Sequence, residues 1–248
     1  MNALFGFTRD VVKARYALRT PSGFVPSMLP GWDQAVCVVQ ISEAMGAKFC
    51  QLLVTLQADG CGQGNTGELE FLVYVLVGRC RARLGNTRHQ LAAGSYAFIP
   101  PGSDFQFNEA REGTQLLIFQ KRFQPLAGVA TPDLLVGSEK NVRGRPFLGN
   151  NDARLQMLLP DKPQFDMAVN IFTYQPGATL PFVETHIMEH GLVMLQGQGI
   201  YRLDADWHPV QAGDVIWMAP YCPQWFVAMG KTPASYIYYK DVNRLPLA

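Results

Sequence analysis

Apolar residues fall along this chain in short runs, broken at intervals by glycine and proline. "AKFCQLLVTLQ", "EFLVYVLVG", "SYAFIPPG", "DMAVNIFTYQPG", "GLVMLQGQGIYRL", "DVIWMAP" and "SYIYYK" are rich in β-branched and aromatic residues, and runs of that length bounded by turn formers predict strands. Helical spacing of apolar positions is scarce. Many short strands at regular intervals predict an all-β chain folded as a sandwich or barrel.

The pattern also repeats. Shifting the chain by 119 positions (189 − 70) brings Glu70 onto Glu189, Leu76 onto Leu195, Gly78 onto Gly197, Leu84 onto Leu203 and His89 onto His208. In the same register Gly94 meets Gly213, Pro101 meets Pro220, Phe107 meets Phe226 and Lys121 meets Lys240. Glycine and proline mark turns that a shared fold must place alike, so the coincidences predict two copies of one β unit. The expected division is an N-terminal lobe over 1–125, a linker over 126–146 within the Pro- and Gly-rich "FQPLAGVATPDLLVGSEKNVRGRP", and a C-terminal lobe over 147–248.

Composition narrows the function classes. A chain of 248 residues with 48% hydrophobic residues and a formal charge of +1 has neither the basic excess of a nucleic-acid binder nor the polarity of a disordered chain. No apolar run approaches the roughly 20 residues that span a bilayer, and "MNALFGFTRDVVKARY" lacks the apolar core of a signal peptide. The five cysteines (37, 50, 61, 80 and 222) are odd in number and lie at no metal-binding spacing, which fits free thiols in a reducing compartment. The expectation is a cytoplasmic protein acting on a small molecule, without nucleic-acid or membrane partners.

The candidate chemistry lies in what the two copies do not share. Glu184, His186, His190 and Gln224 align with Asn65, Gly67, Phe71 and Phe105. Glu184, His186 and His190 have equal parity, so a strand running through 184–190 would send all three to one face. Hydrogen-bonded strand histidines would satisfy the spacing alone, but not the loss of every counterpart in the first copy. A carboxylate, two imidazoles and a carboxamide form an O/N set suited to a divalent ion such as Mn, Fe, Co, Ni or Zn. In the first lobe Phe71 and Phe105 are expected to fill the space such a site would need. Cys222, two residues before Gln224, is expected to pack.

Gly177, "ETHIMEH" and Gly197 together resemble the first cupin motif with its ligand types permuted, Glu184 and His186 standing at its two histidines and His190 at its glutamate. "GDVIWMAPYCPQ" resembles the second motif with Gln224 in place of the histidine, and "GSYAFIPPGSDF" resembles it in the first lobe with Phe105 there. The chain therefore resembles a bicupin, two tandem jelly-roll-like barrels, with a vacant first metal site. "TPSGFVPSMLPGW", "ETHIMEHGLVMLQGQGIYRLD" and "SYIYYKDVNR" extend the likeness over nearly the whole chain to the (S)-ureidoglycine aminohydrolase family of purine degradation. That resemblance implies one Mn(II) on Glu184, His186, His190 and Gln224. It also implies substrate contacts from Tyr201, Tyr236 and Lys240 alongside Glu184 and Gln224, and assembly as a homo-oligomer. Tyr236 and Lys240 share parity on "SYIYYK" and should point into one barrel, with Tyr239 and Asp241 pointing away. Glu184, Lys240 and Tyr201 are the candidate catalytic groups, for proton transfer during loss of ammonia. Lys121 at the aligned position would give the first lobe the same lysine. A metal-dependent cupin dioxygenase or isomerase, or a bicupin that merely binds a small molecule, would use a similar ligand set.

Overall fold

The computed structural model describes residues 8–244. Residues 1–7 and 245–248, the outer ends of the two expected lobes and part of the segment read for a signal peptide, lie outside the described residues. Nearly all regular structure is antiparallel strand, as the short apolar runs predict. Among the described residues no helix is long and apolar enough to cross a membrane.

A ten-stranded sheet forms the first barrel, and an eight-stranded sheet with a three-stranded one forms the second. In the three-stranded sheet Gln198–Leu203 lies between Asp206–Gln211 and Gln224–Met229. Pairing crosses the boundaries expected from sequence. Tyr16–Arg19 pairs with Val215–Met218 and so extends the second barrel, and Val11–Val12 pairs with Tyr16–Arg19. Leu135–Ser138, inside the expected linker, pairs with residues 95–98 of the first barrel. Each lobe is thus edged by a strand from beyond its own expected span, which ties the two together.

Strand alternation sorts the apolar side chains into three cores. On Arg79–Leu84 the sequence Cys80, Ala82, Leu84 faces in while the arginines between them face out. Leu69–Val77 is buried on both faces and reads as one continuous apolar run. Its Phe71, Val73 and Val75 line the first barrel, while Leu72 and Tyr74 join Phe49, Phe119, Trp217, Ile237 and Tyr239 between the lobes. The second barrel holds Leu192, Met194, Tyr201, Phe226, Tyr236 and Tyr238. At roughly 1.5–3 kcal/mol per buried large side chain, the inter-lobe cluster is a substantial core that neither lobe could expose in isolation.

The ladders correct the repeat register at its last strand. Phe71 and His190 are 119 positions apart, yet Phe71 pairs with Gln120 and His190 pairs with Lys240, 120 positions apart. The glycine turns agree: Gly78 abuts Thr114, whereas Gly197 abuts Ala234. One additional residue in the second copy therefore separates Phe226 from the last strand. The counterpart of Lys240 is Gln120, and Lys121 corresponds to Asp241. Lys121 faces the other lobe, buried in an ion pair with Asp166 and 3.7 Å from Glu70 Oε1. The expectation that the first barrel carries the same lysine is overturned, because coincidence of one residue type hid a shift that reverses the face.

Candidate metal and substrate site

The candidate ligands are assembled by a loop, which carries Glu184 and His186, and two strands, which begin at His190 and Gln224, so the first three do not share one strand. Glu184 forms an isolated bridge with Gln224, residues 185–189 have no strand pairing, and regular strand resumes at His190. The parity argument for a strand through 184–190 therefore does not hold. Two local bonds take its place: Tyr221 N–H donates to the His186 carbonyl at 2.7 Å, and His186 Nδ1 donates to Met188 O at 3.1 Å. The loop turns back at Ile187 and places the His186 and His190 rings 4.7 Å apart.

Those bonds decide where lone pairs point. Because a carbonyl can only accept, Nδ1 of His186 carries the proton and Nε2 presents a lone pair. Gln224 Nε2 donates to that Nε2 at 3.0 Å, and Tyr201 OH donates to Gln224 Oε1 at 3.3 Å. His190 is buried, and its Nε2 has no hydrogen-bond partner. A buried polar atom left alone costs about 1–3 kcal/mol, so this nitrogen asks for a partner from outside the chain. Burial depresses protonation of both imidazoles, strongly for His190, where His186 and Lys240 add to it. Neutral imidazoles are what a divalent ion requires, and the His190 Nε2 lone pair is already free.

Glu184 is different. Burial raises its pKa, offset in part by the charge of Lys240, and its own charge is felt by Tyr174, Tyr201, Tyr236 and Tyr238. It thus faces the barrel interior. Among the described residues, no three His, Cys, Asp or Glu side chains converge tightly enough to hold an ion by themselves. The compact part of the set is His186, His190 and Gln224, and the Glu184 carboxylate would complete it. A mixed N/O donor set without thiolate, centred on an orphaned imidazole nitrogen, fits a borderline-hard divalent ion.

Tyr236 and Lys240 stand on one strand and share a face, as expected. Tyr236 and Tyr201 are buried with ring centroids 6.2 Å apart, their hydroxyls held protonated chiefly by burial. Lys240 is half-buried beside His190. The structure adds three polar groups that sequence reasoning missed. Tyr238 stacks on His190 at 5.4 Å and accepts from Asn170 Nδ2 at 3.1 Å, and Tyr174 and Tyr236 share a hydroxyl contact of 3.1 Å. Tyr238 was legible from its parity with Tyr236 and Lys240. Asn170 and Tyr174 were not, because their strand reads as ordinary apolar core. Cys222 is buried in the same barrel core and its thiol pKa is raised by burial, the packing role expected.

Comparisons with known proteins agree with this architecture. The Cupin domain family matches residues 170–239, the stretch that holds all four candidate ligands. An (S)-ureidoglycine aminohydrolase of Arabidopsis thaliana is 38% identical over 98% of this chain and 80% of its own length. One of Escherichia coli (strain K12) is 36% identical over 98% of this chain and 97% of its own. The crystal structure of protein Ylba from E. coli superposes with a TM-score of 0.87 at 33% identity, covering 97% of both chains. At the level of fold alone, Bacillus subtilis oxalate decarboxylase, described with Mn(II) centres, matches at a TM-score of 0.70 and 10% identity over 92% of this chain and 78% of that one. With such identity along almost its entire length, the chain belongs to the (S)-ureidoglycine aminohydrolase family, cupin-fold proteins whose second barrel here carries the polar interior.

Proposed function

We propose that the second barrel binds one Mn(II) and hydrolytically releases ammonia from (S)-ureidoglycine to give (S)-ureidoglycolate, a step of purine and allantoin breakdown. The observation that carries the reading is the partnerless Nε2 of His190 in a barrel interior otherwise furnished with hydroxyls, carboxamides, one carboxylate and one lysine. The names of the relatives supply the substrate. In it one carbon bears an amine, a ureido nitrogen and a carboxylate; the C–N bond to the amine breaks, a C–O bond to water forms, and the proton lost by water leaves with ammonia.

Glu184, His186, His190 and Gln224 would hold the ion, which would supply a positive centre to anchor the substrate carboxylate and a neighbouring nitrogen. The chain's own groups do the rest. Tyr201 orients Gln224 through its hydroxyl. Tyr236, fixed by Tyr174, is a neutral donor for the ureido carbonyl, and such fixed donors set which face of the carbon meets water. Glu184, its carboxylate made more basic by burial, would take the proton of the attacking water, and Lys240 would deliver one to the departing amine. The test is direct: Mn(II)-loaded protein given freshly generated ureidoglycine should release one ammonia per substrate and yield a single enantiomer of ureidoglycolate. Oxygen uptake without ammonia would replace this reading with a cupin dioxygenase, and absence of any turnover with a binding protein.

A further inference from the structure

Glu189 precedes His190 and points the other way, toward the first lobe. It is 1% exposed, and its two oxygens both accept the backbone N–H of Lys48 at 3.0 and 3.1 Å. Oε2 also accepts from Trp217 Nε1 at 3.4 Å. Its own N–H donates to Asp241 Oδ1 at 2.7 Å. These partners are not scattered. Asp241 follows Lys240, whose Cα pairs with His190. Trp217 precedes Met218, which pairs with His190 from the opposite side. Lys48 lies in the bend just before the strand Cys50–Asn65 of the first barrel. One carboxylate and its backbone therefore fasten three adjacent strands of the second barrel to a loop of the first, one residue behind His190 and Lys240.

We propose that Glu189 is a positioning residue through which the ligand-free first lobe fixes His190 and Lys240. The proposal rests on the metal reading of the second barrel. Strand alternation makes the coupling stiff: a rotation that lifts Glu189 off Lys48 must turn His190 about the same backbone. Sites of this kind need ligands held within about 0.5 Å, and loss of an outer support typically weakens metal binding by about 10–100-fold. The first lobe contains its own control. Glu70 occupies the place of Glu189 in the repeat and is likewise buried at the inter-lobe face, but the residue it backs is Phe71, which ligates nothing.

The experiment is Mn(II) titration of folded protein, followed by the EPR signal of the free ion, for the unsubstituted chain, Glu189→Ala, Glu189→Gln and Glu70→Ala, with thermal melting and the kcat against KM split recorded beside it. Glu189→Ala should bind Mn(II) about 10–100-fold more weakly and lose kcat, Glu189→Gln should recover most of the affinity because its amide oxygen still accepts from Lys48, and Glu70→Ala should change melting but not Mn(II) affinity. Unshifted affinity in Glu189→Ala, or an equal shift in Glu70→Ala, overturns the positioning role alone. An unsubstituted chain that binds no Mn(II) overturns the metal reading beneath it. Should Glu189→Ala not fold, Asp241→Ala, which removes the acceptor for the Glu189 N–H at a half-buried position, decides by the same criterion.

Discussion

The two barrels share a strand plan and differ in what they turn inward. Across equivalent ladder positions the second barrel carries His190, Gln224, Tyr201, Tyr236, Tyr238, Asn170 and Tyr174, where the first carries Phe71, Phe105, Ala82, Leu116, Ile118, Leu52 and Leu56. Phe71 and Phe105 meet with centroids 5.5 Å apart in the first core, as expected from the sequence. Each of these seven polar groups has an apolar stand-in, so the barrel itself asks for none of them. Polar burial of that kind costs stability unless each group is satisfied. In the second barrel most are satisfied by one another and His190 is not, which separates a site from a packed core. The Lys240 and Gln120 pair completes the contrast: the lysine belongs to one barrel only.

The contrast breaks most sharply at the ligands. His186→Ala or His190→Ala should abolish metal binding and turnover while the fold melts as before, and elemental analysis of the unsubstituted protein should give one metal per chain. Two metals, or metal retained when both histidines are replaced, would mean that the first barrel is not vacant. Next in size is Lys240→Met, which should lower turnover by about 10²–10⁴-fold without loss of metal, against no change for Gln120→Met at the true counterpart. Equal effects would return the lysine to a role in the repeat fold.

The first lobe should answer in stability instead. Phe71→Ala removes a buried ring and should cost about 3–5 kcal/mol, with turnover per folded molecule unchanged. Lys121→Met should destabilise by a similar amount, about 3–5 kcal/mol, since it strips the cation from buried Asp166; chemical denaturation measures both. The aligned lysine looked interchangeable with Lys240 in sequence, and this pair of outcomes separates them.

The most gradual effect is on pH. Burial, aided by Asp166, pushes Glu70 up to about 9, so the folded state holds a proton that the unfolded chain releases near 4.5. A carboxyl with a raised folded pKa stabilises fully below its unfolded value and loses that contribution as pH rises through the folded one. Melting temperature should therefore fall between about pH 5 and 9, and Glu70→Gln, which cannot ionise, should flatten that decline. An unchanged slope would place the titration elsewhere in the inter-lobe cluster.

The strands, the duplication and the asymmetry of the candidate ligands are legible in the order of residues alone. Period-two alternation, turn glycines and a repeat of nearly constant offset are local or additive signals, and they survive without knowledge of partners. Even His186, in a loop and not in a strand, stands out as a candidate, because its contrast with Gly67 does not depend on backbone conformation. Which lobe owns Tyr16–Arg19 and Leu135–Ser138 emerges only from the folded chain, since a four-residue strand of ordinary composition carries no address for its neighbour. The same holds for Lys121 and Lys240. A single inserted residue reverses a strand's faces, and hydrogen-bonded ladders, not residue identity, fix the register. Glu189 is the extreme case: its sequence marks only a repeat, and its contact with Lys48, 141 positions away, exists because two barrels close on one core.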